Sequence, residues 1–178
     1  GVSIATNLEV KEVEQKDFCK KKDGRHISIT VDANDKLFSI NNFYVPAGGD
    51  EPNPEINDKF KHKLDFLREA TEWFRSRKSR SDLVLLVGDL NIAPHQNDVW
   101  SHKQLIKVVS HTHIEVRELE EFQSSYNFID SIREFHPYEN KIYSWWSYRS
   151  KNWKKSNRGR RLDHIWASPE LNKFIKST

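Results

Sequence analysis

Asp89 and Asn91, in the run LVLLVGDLNIAP (83–94), set a carboxylate and an amide two residues apart after five unbroken apolar residues. Residues two apart in a strand point to one side, so a strand end would hold both groups together at a sheet rim. There the carboxylate can orient or deprotonate a water, and the amide N–H can hold charge developing on a phosphate oxygen. Together they offer what hydrolysis of a phosphodiester needs. The pair fits equally well a turn in which each side chain bonds a nearby backbone N–H, so context must decide.

Context lies in the last third of the chain. Between Lys141 and Arg161 there are eight Lys or Arg residues and no Asp or Glu, on a chain whose net charge is only +3. Five aromatic residues fall within 143–153, among them Trp145, Trp146 and Trp153. Cations neutralise phosphates, and flat side chains stack on bases or sugars, so this block reads as a nucleic-acid surface. Its candidate contacts are Arg149, Arg158, Arg160 and Arg161, with Trp145 and Leu162 beside them. A solvated charged loop would not need so many rings. Strand alternation should turn one of Trp145 and Trp146 inward and the other outward. Asp163 falls among Leu162, Ile165 and Trp166, so a partly buried carboxylate is expected, paired with a histidine or with an arginine. His111-x-His113 could chelate on a strand, but no cysteine or carboxylate stands at a recognised spacing. Together with His95 and His102 these are expected to be surface or capping residues.

These groups need elements to hold them. HISITVD (26–32) alternates as a half-buried strand does, and Leu37–Val45 reads as its hairpin partner across 33–36. Asn53-Pro54-Glu55 has the residues of a helix start. Ile56, Phe60, Leu64, Leu67, Ala70 and Phe74 continue at helical spacing, with an end near 77–80. LVLLV then predicts a strand covered on both faces. Helices are expected near 99–109 and 115–127, and two further strands at 142–148 and 162–167. Hairpin signals beside helix–strand alternation predict an α/β sandwich with mixed or antiparallel sheets.

At 178 residues with 36% hydrophobic content the chain suits a single domain over 1–178. An apolar run of five residues spans no membrane. GVSIATNLEV has no secretory pattern and reads as a strand cut from a longer chain. The lone Cys19 excludes an internal disulfide, suits a reducing cytosol and reads as a small partly buried thiol.

GDLNIAP, YSWWSYRS and NRGRRLDHIWAS, in this order, resemble the exonuclease III type of apurinic/apyrimidinic (AP) endonuclease, a branch of the endonuclease/exonuclease/phosphatase superfamily. NNFYVPAGGD (41–50) is similar to the segment bearing that family's active-site tyrosine, here Tyr44, and SHTHIEV (110–116) to a connecting region of bacterial members. The resemblance implies a four-layer α/β/β/α sandwich, incomplete here at both ends. It implies hydrolysis with Mg²⁺ or Mn²⁺, cutting duplex DNA 5′ to abasic sites and trimming 3′ ends, by a monomeric enzyme of the bacterial cytosol.

Carried over by motif, Asp89 would position the attacking water, Asn91 would stabilise the pentacovalent phosphate, Tyr44 would donate a hydrogen bond to it, and Asp163 would orient a histidine. Trp145 and Leu162 would line the pocket for a flipped abasic sugar, whose further wall is altered because Arg160 stands where some relatives have tryptophan. The family's metal-binding Glu and its closing Ser-Asp-His are not found. Glu9, Glu12 and Glu14 do not match the metal motif, and His164, next to Asp163, should face the opposite way. The metal ligands are therefore expected outside these residues, with Asp89 and Asn91 near the metal, and the 178 residues alone are expected to be nearly inactive. Two alternatives remain: a DNA-binding module without catalysis, and a superfamily relative acting on RNA or phospholipid.

Overall fold

The computed structural model describes residues 1–33, 36–77, 83–147 and 151–178. Arg149 and residues 78–80, where the long helix was expected to end, lie outside the described residues. A mixed six-stranded sheet organises the rest, in the order β1-β2-β3-β4-β8-β5. Its strands are β1 (Glu9–Glu14), β2 (His26–Asp32), β3 (Leu37–Tyr44), β4 (Leu83–Asp89), β5 (Ile129–Asp130) and β8 (Asp163–Ala167). Only β3 and β4 run parallel; the other pairings are antiparallel. This is the crossover expected of two strands joined through a helix.

That helix is α1 (Asp58–Ser76), which lays Phe60, Leu64, Leu67, Ala70 and Phe74 inward as their spacing predicts. Its start differs from the sequence reading. Asn57 is the cap, accepting from the N–H groups of Lys59 and Phe60, while Asn53 closes a preceding turn by accepting from the N–H of Glu55. Both asparagines are competent caps, and the inward aromatic Phe60 follows the second. Ile56, one residue before the true cap, is therefore exposed.

The main core lies between one face of the sheet and α1 with α3 (His113–Ser124): Phe43, Leu86 and Trp166 meet Phe66, Phe74, Leu119 and Phe122. Of the four layers implied, the described residues build one large sheet and one helix layer. The other sheet among them is the two-stranded ribbon of β6 (Trp145–Trp146) and β7 (Gly159–Arg160).

β4 corrects the expectation of a strand buried on both sides. Val84 and Leu86 are buried, whereas Leu83, Leu85 and Val87 are half-exposed. On that second face Ile29, Val31 and Ala167 are buried, but Val10, Val13 and Ile165 are exposed. The helices expected near 99–109 and 115–127 contract to α2 (His102–Leu105) and shift to α3, whose start is fixed by a capping box between Thr112 and Glu115. Two short helices, α4 (Ser131–Phe135) and α5 (Trp153–Ser156), precede β7, and α6 (Pro169–Asn172) packs against β4 and β8.

Candidate active site

Tyr44, Asp89 and Asp163 form one row. Tyr44 pairs with Asp89 across the parallel β3–β4 ladder, and Asp89 pairs with Asp163 across the antiparallel β4–β8 ladder. Directly opposed residues share a face, so all three side chains rise on the side away from α1, at one end of the sheet. Backbone bonds brace the row: Val45 N–H donates to Asp89 O at 2.9 Å and Leu90 N–H to Leu162 O at 2.8 Å.

Gly88 makes the close approach possible. Its φ is +128°, and a Cβ there would lie 2.0 Å from the Phe43 carbonyl oxygen. The kink falls one residue before β4 ends at Asp89. Asn91 follows in the left-handed region, at φ +54°. Its N–H donates to Asp89 Oδ1 at 2.9 Å, and its side-chain Nδ2 donates to Val45 O at 2.9 Å. The local turn that the pair could have formed is thus real, and the same turn carries both groups to the rim beside Tyr44.

Asp89 is half-buried, and burial pushes its carboxyl up to about 6; the Asn91 N–H opposes this, and the charge of Asp163 adds to it. A carboxyl that titrates near neutral pH at the sheet rim suits a group that exchanges protons with a substrate or water.

Asp163 itself is exposed, which corrects the expected burial. β8 alternates, placing Asp163 and Ile165 on the open face and His164 and Trp166 against the core. Ser144 Oγ accepts from the N–H groups of both Leu162 and Asp163, each at 3.0 Å, and so ties the strand that carries Trp145 to the row. His164 faces the opposite way, as anticipated. Its Nδ1 contacts Arg161 and its Nε2 the Ile92 carbonyl, and burial lowers its pKa to about 4.

The basic block divides into two populations. Arg161 is buried, its guanidinium bonded to both oxygens of Asp98 and paired with Asp130 at 2.8 Å. Arg133 joins the same cluster through Asp98. Burial alone would raise the Asp98 pKa, and the two guanidiniums more than reverse this. The assignment of Arg161 as a phosphate contact is therefore corrected, since its donors are committed to carboxylates that the local sequence does not reveal. Leu162 is likewise buried, among Ala93, Val99 and Leu105.

Arg160 is half-buried, donating to Val109 O and Ser110 Oγ, with its guanidinium 5.8 Å from the Trp145 ring. Arg158 is exposed and lies over Trp100 at 4.6 Å. Trp145 and Trp153 are exposed, as are Lys151, Lys154 and Lys155, with Lys154 over the Trp153 ring, and Trp146 is half-buried with its Nε1 on Asn157. The outward and inward tryptophans are thus Trp145 and Trp146.

Two features escaped the sequence reading. Trp100 carries Arg158, and Lys63 of α1 lies buried under the row, bonded to Asn91 O at 2.8 Å. A lysine amid the apolar stripe Phe60, Leu64 and Leu67 was the available signal. His111 differs from the expected surface position: it is buried, its Nδ1 on the Ala93 carbonyl and its Nε2 against His102 Nδ1 at 2.8 Å, whereas His102 and His113 are exposed. Among the described residues no group of three or more His, Cys, Asp or Glu could hold a metal ion. None of their helices is long and apolar enough to cross a membrane.

The sequence profile of the Endonuclease/Exonuclease/phosphatase family matches residues 1–174. Exodeoxyribonuclease III of Haemophilus influenzae is 28% identical over 178 residues, spanning 96% of this chain and 65% of that protein. An AP endonuclease from Archaeoglobus fulgidus superposes with a TM-score of 0.81 at 26% identity, over 93% of this chain and 61% of that one. The 3′ phosphatase NExo from Neisseria, bound to a product DNA hairpin, superposes with a TM-score of 0.82 at 25% identity, over 96% and 63%. The chain thus spans less than two thirds of the length of each of these proteins.

Proposed function

Because the chain belongs to the endonuclease/exonuclease/phosphatase family, we propose that it is the central and C-terminal part of a DNA-repair phosphodiesterase of the exonuclease III/AP endonuclease type. The observation that carries this reading is the Tyr44–Asp89–Asp163 row with Asn91 turned beside it. The substrate is double-stranded DNA, cut 5′ to an abasic site or trimmed at a 3′ end. The relatives named for these activities support the choice, as do the exposed Trp145, Trp153 and Arg158.

In this reading Asp89 accepts a proton from, or orients, the attacking water. The Asn91 amide and Tyr44 hydroxyl bond the phosphate oxygens as charge builds on them. Asp163 would orient a histidine, and its charge adds to the burial that raises the Asp89 carboxyl. Trp145 flanks the sugar, and Arg158 with the exposed lysines follows the strand. The described residues offer two neighbouring carboxylates but no full ligand set, so Mg²⁺ or Mn²⁺ would need further donors, and no step is assigned to it. When bound, such an ion would supply charge stabilisation at the phosphate. The intact protein acts as a monomer in the cytosol.

Incision of a duplex with one stable abasic analogue by the full-length protein, with Mg²⁺ added, tests the reading against single-stranded RNA and phospholipid in the same assay. Preferential cleavage of the abasic duplex is expected, with residues 1–178 alone far slower. Preference for RNA or lipid would overturn it, as would salt-sensitive duplex binding without cleavage at any Mg²⁺ concentration.

A further inference from the structure

Lys63 lies on the inner face of α1 with a fully buried side chain. An ammonium has three donors, and three acceptors meet this one: Asn91 O at 2.8 Å, Ala47 O at 3.3 Å and Glu115 Oε1 at 2.5 Å. Glu115 is just as buried and just as fully engaged. It accepts from Ser110 N–H at both oxygens, and Oε2 accepts from Thr112 N–H and from Thr112 Oγ1 at 2.6 Å. The turn after Tyr44 rests on the lysine stem, since a Cβ on Gly48 would lie 3.0 Å from Lys63 Cδ.

This arrangement is costly as a packing device. Burial pushes the Lys63 pKa down, with Glu115 opposing, and a buried ion pair is seldom more stabilising than apolar side chains of the same volume. What an apolar residue could not do is donate to two carbonyls at once. Those carbonyls belong to the two segments that carry the candidate chemistry: Asn91, at φ +54°, and the 45–47 stretch that follows Tyr44 and itself accepts from the Asn91 amide.

We propose that Lys63 is a positioning residue. Its ammonium clamps the left-handed turn at Asn91 to the turn after Tyr44, and Glu115 Oε1 takes the third donor and aims it. The link to catalysis rests on the reading of Asn91 given above, whereas the clamp itself does not.

Lys63→Met keeps chain length but leaves Glu115 buried and unpaired, so on its own it is expected to destabilise the fold. Lys63→Met/Glu115→Gln removes both charges and keeps one acceptor oxygen for the capping box, exchanging the other for an amide donor. Three readouts separate the roles: the thermal midpoint, hydrogen exchange at Asn91 N–H against Leu86 N–H, and single-turnover incision by the full-length protein with duplex affinity. In the double variant the midpoint returns most of the way to wild type and Leu86 is unchanged. Asn91 exchanges about tenfold faster, and incision slows about 100-fold with duplex affinity kept within about threefold. Recovery of Asn91 exchange and incision together with the midpoint would reduce Lys63 to a packing residue and overturn the proposal. If the wild-type protein does not cut, the functional reading fails by itself, and the exchange comparison alone decides the clamp.

Discussion

Asp89 and Asp163 are direct cross-strand partners on β4 and β8, so two carboxylates stand side by side at one rim of the sheet. Like charges directly opposed on a sheet disfavour each other, and the more buried of the two responds. Asp89 is the one held near neutrality, first by burial and then by its neighbour's charge.

The sign of the pH effect follows from this shift. Asp89 titrates at about 6 in the folded chain against an ordinary value of 3.8, so the native state binds this proton more tightly than the unfolded state. Its contribution to stability is therefore present at acid pH and falls as pH rises through about 6. Asp89→Asn should stabilise the protein at neutral pH by on the order of 1 kcal/mol, allowing for solvent at a half-exposed group, with the gain vanishing in acid. Thermal unfolding of both proteins across pH checks this. Carboxyl NMR of Asp163→Asn should show the Asp89 titration moved downward.

Gly88→Ala is expected to be severe. The new Cβ would sit 2.0 Å from the Phe43 carbonyl oxygen at a φ of +128°, and that backbone belongs to the core strand β3. A loss of about 3 kcal/mol or more is expected in urea unfolding, because relief requires separating β3 from β4. A change within about 0.5 kcal/mol would show that the kink is not required.

Asn91 serves two purposes that substitution can separate. Asn91→Gly keeps the left-handed turn and should cost only about 1 kcal/mol for the lost bond to Val45 O, whereas Asn91→Ala should cost about 1–2 kcal/mol more from the strained backbone. Both should abolish most incision, because both remove the amide. Incision by the glycine variant at the wild-type rate would exclude the amide from catalysis.

Arg161 and Arg158 are neighbours in sequence with opposite expected behaviour. Arg161→Met leaves Asp98 and Asp130 short of a buried partner and should cost about 3–5 kcal/mol in unfolding free energy. Arg158→Ala should leave stability unchanged, weaken duplex binding and reduce the salt-dependence slope by about 1. Unfolding curves and binding titrations at several salt concentrations distinguish them.

What could be read in advance followed from local physics. The inner face of α1 was legible because helical periodicity needs only neighbouring residues, and β2 with β3 because alternation and a turn lie within one short segment. The row at the rim was legible through its motif residues. Five consecutive apolar residues, by contrast, do not distinguish a strand buried on two faces from one buried on one. Nothing around Arg161 announces Asp98 and Asp130, and nothing around Lys63 announces Glu115, since those partners arrive from distant parts of the chain. Local charge density therefore overstated how many of these cations are exposed, and gave no sign of the buried Lys63.

The rim row also has a consequence for the time course of folding. β3 and β4 join around α1, whereas β8 pairs with β4 across a long stretch of intervening chain that includes the β6–β7 ribbon. Pairings between such distant segments form late. A partly folded chain would thus carry Asp89 without Asp163 opposite it. The raised protonation of Asp89 would be acquired as the last long-range strand docks, making one carboxyl resonance a clock for completion of the whole sheet.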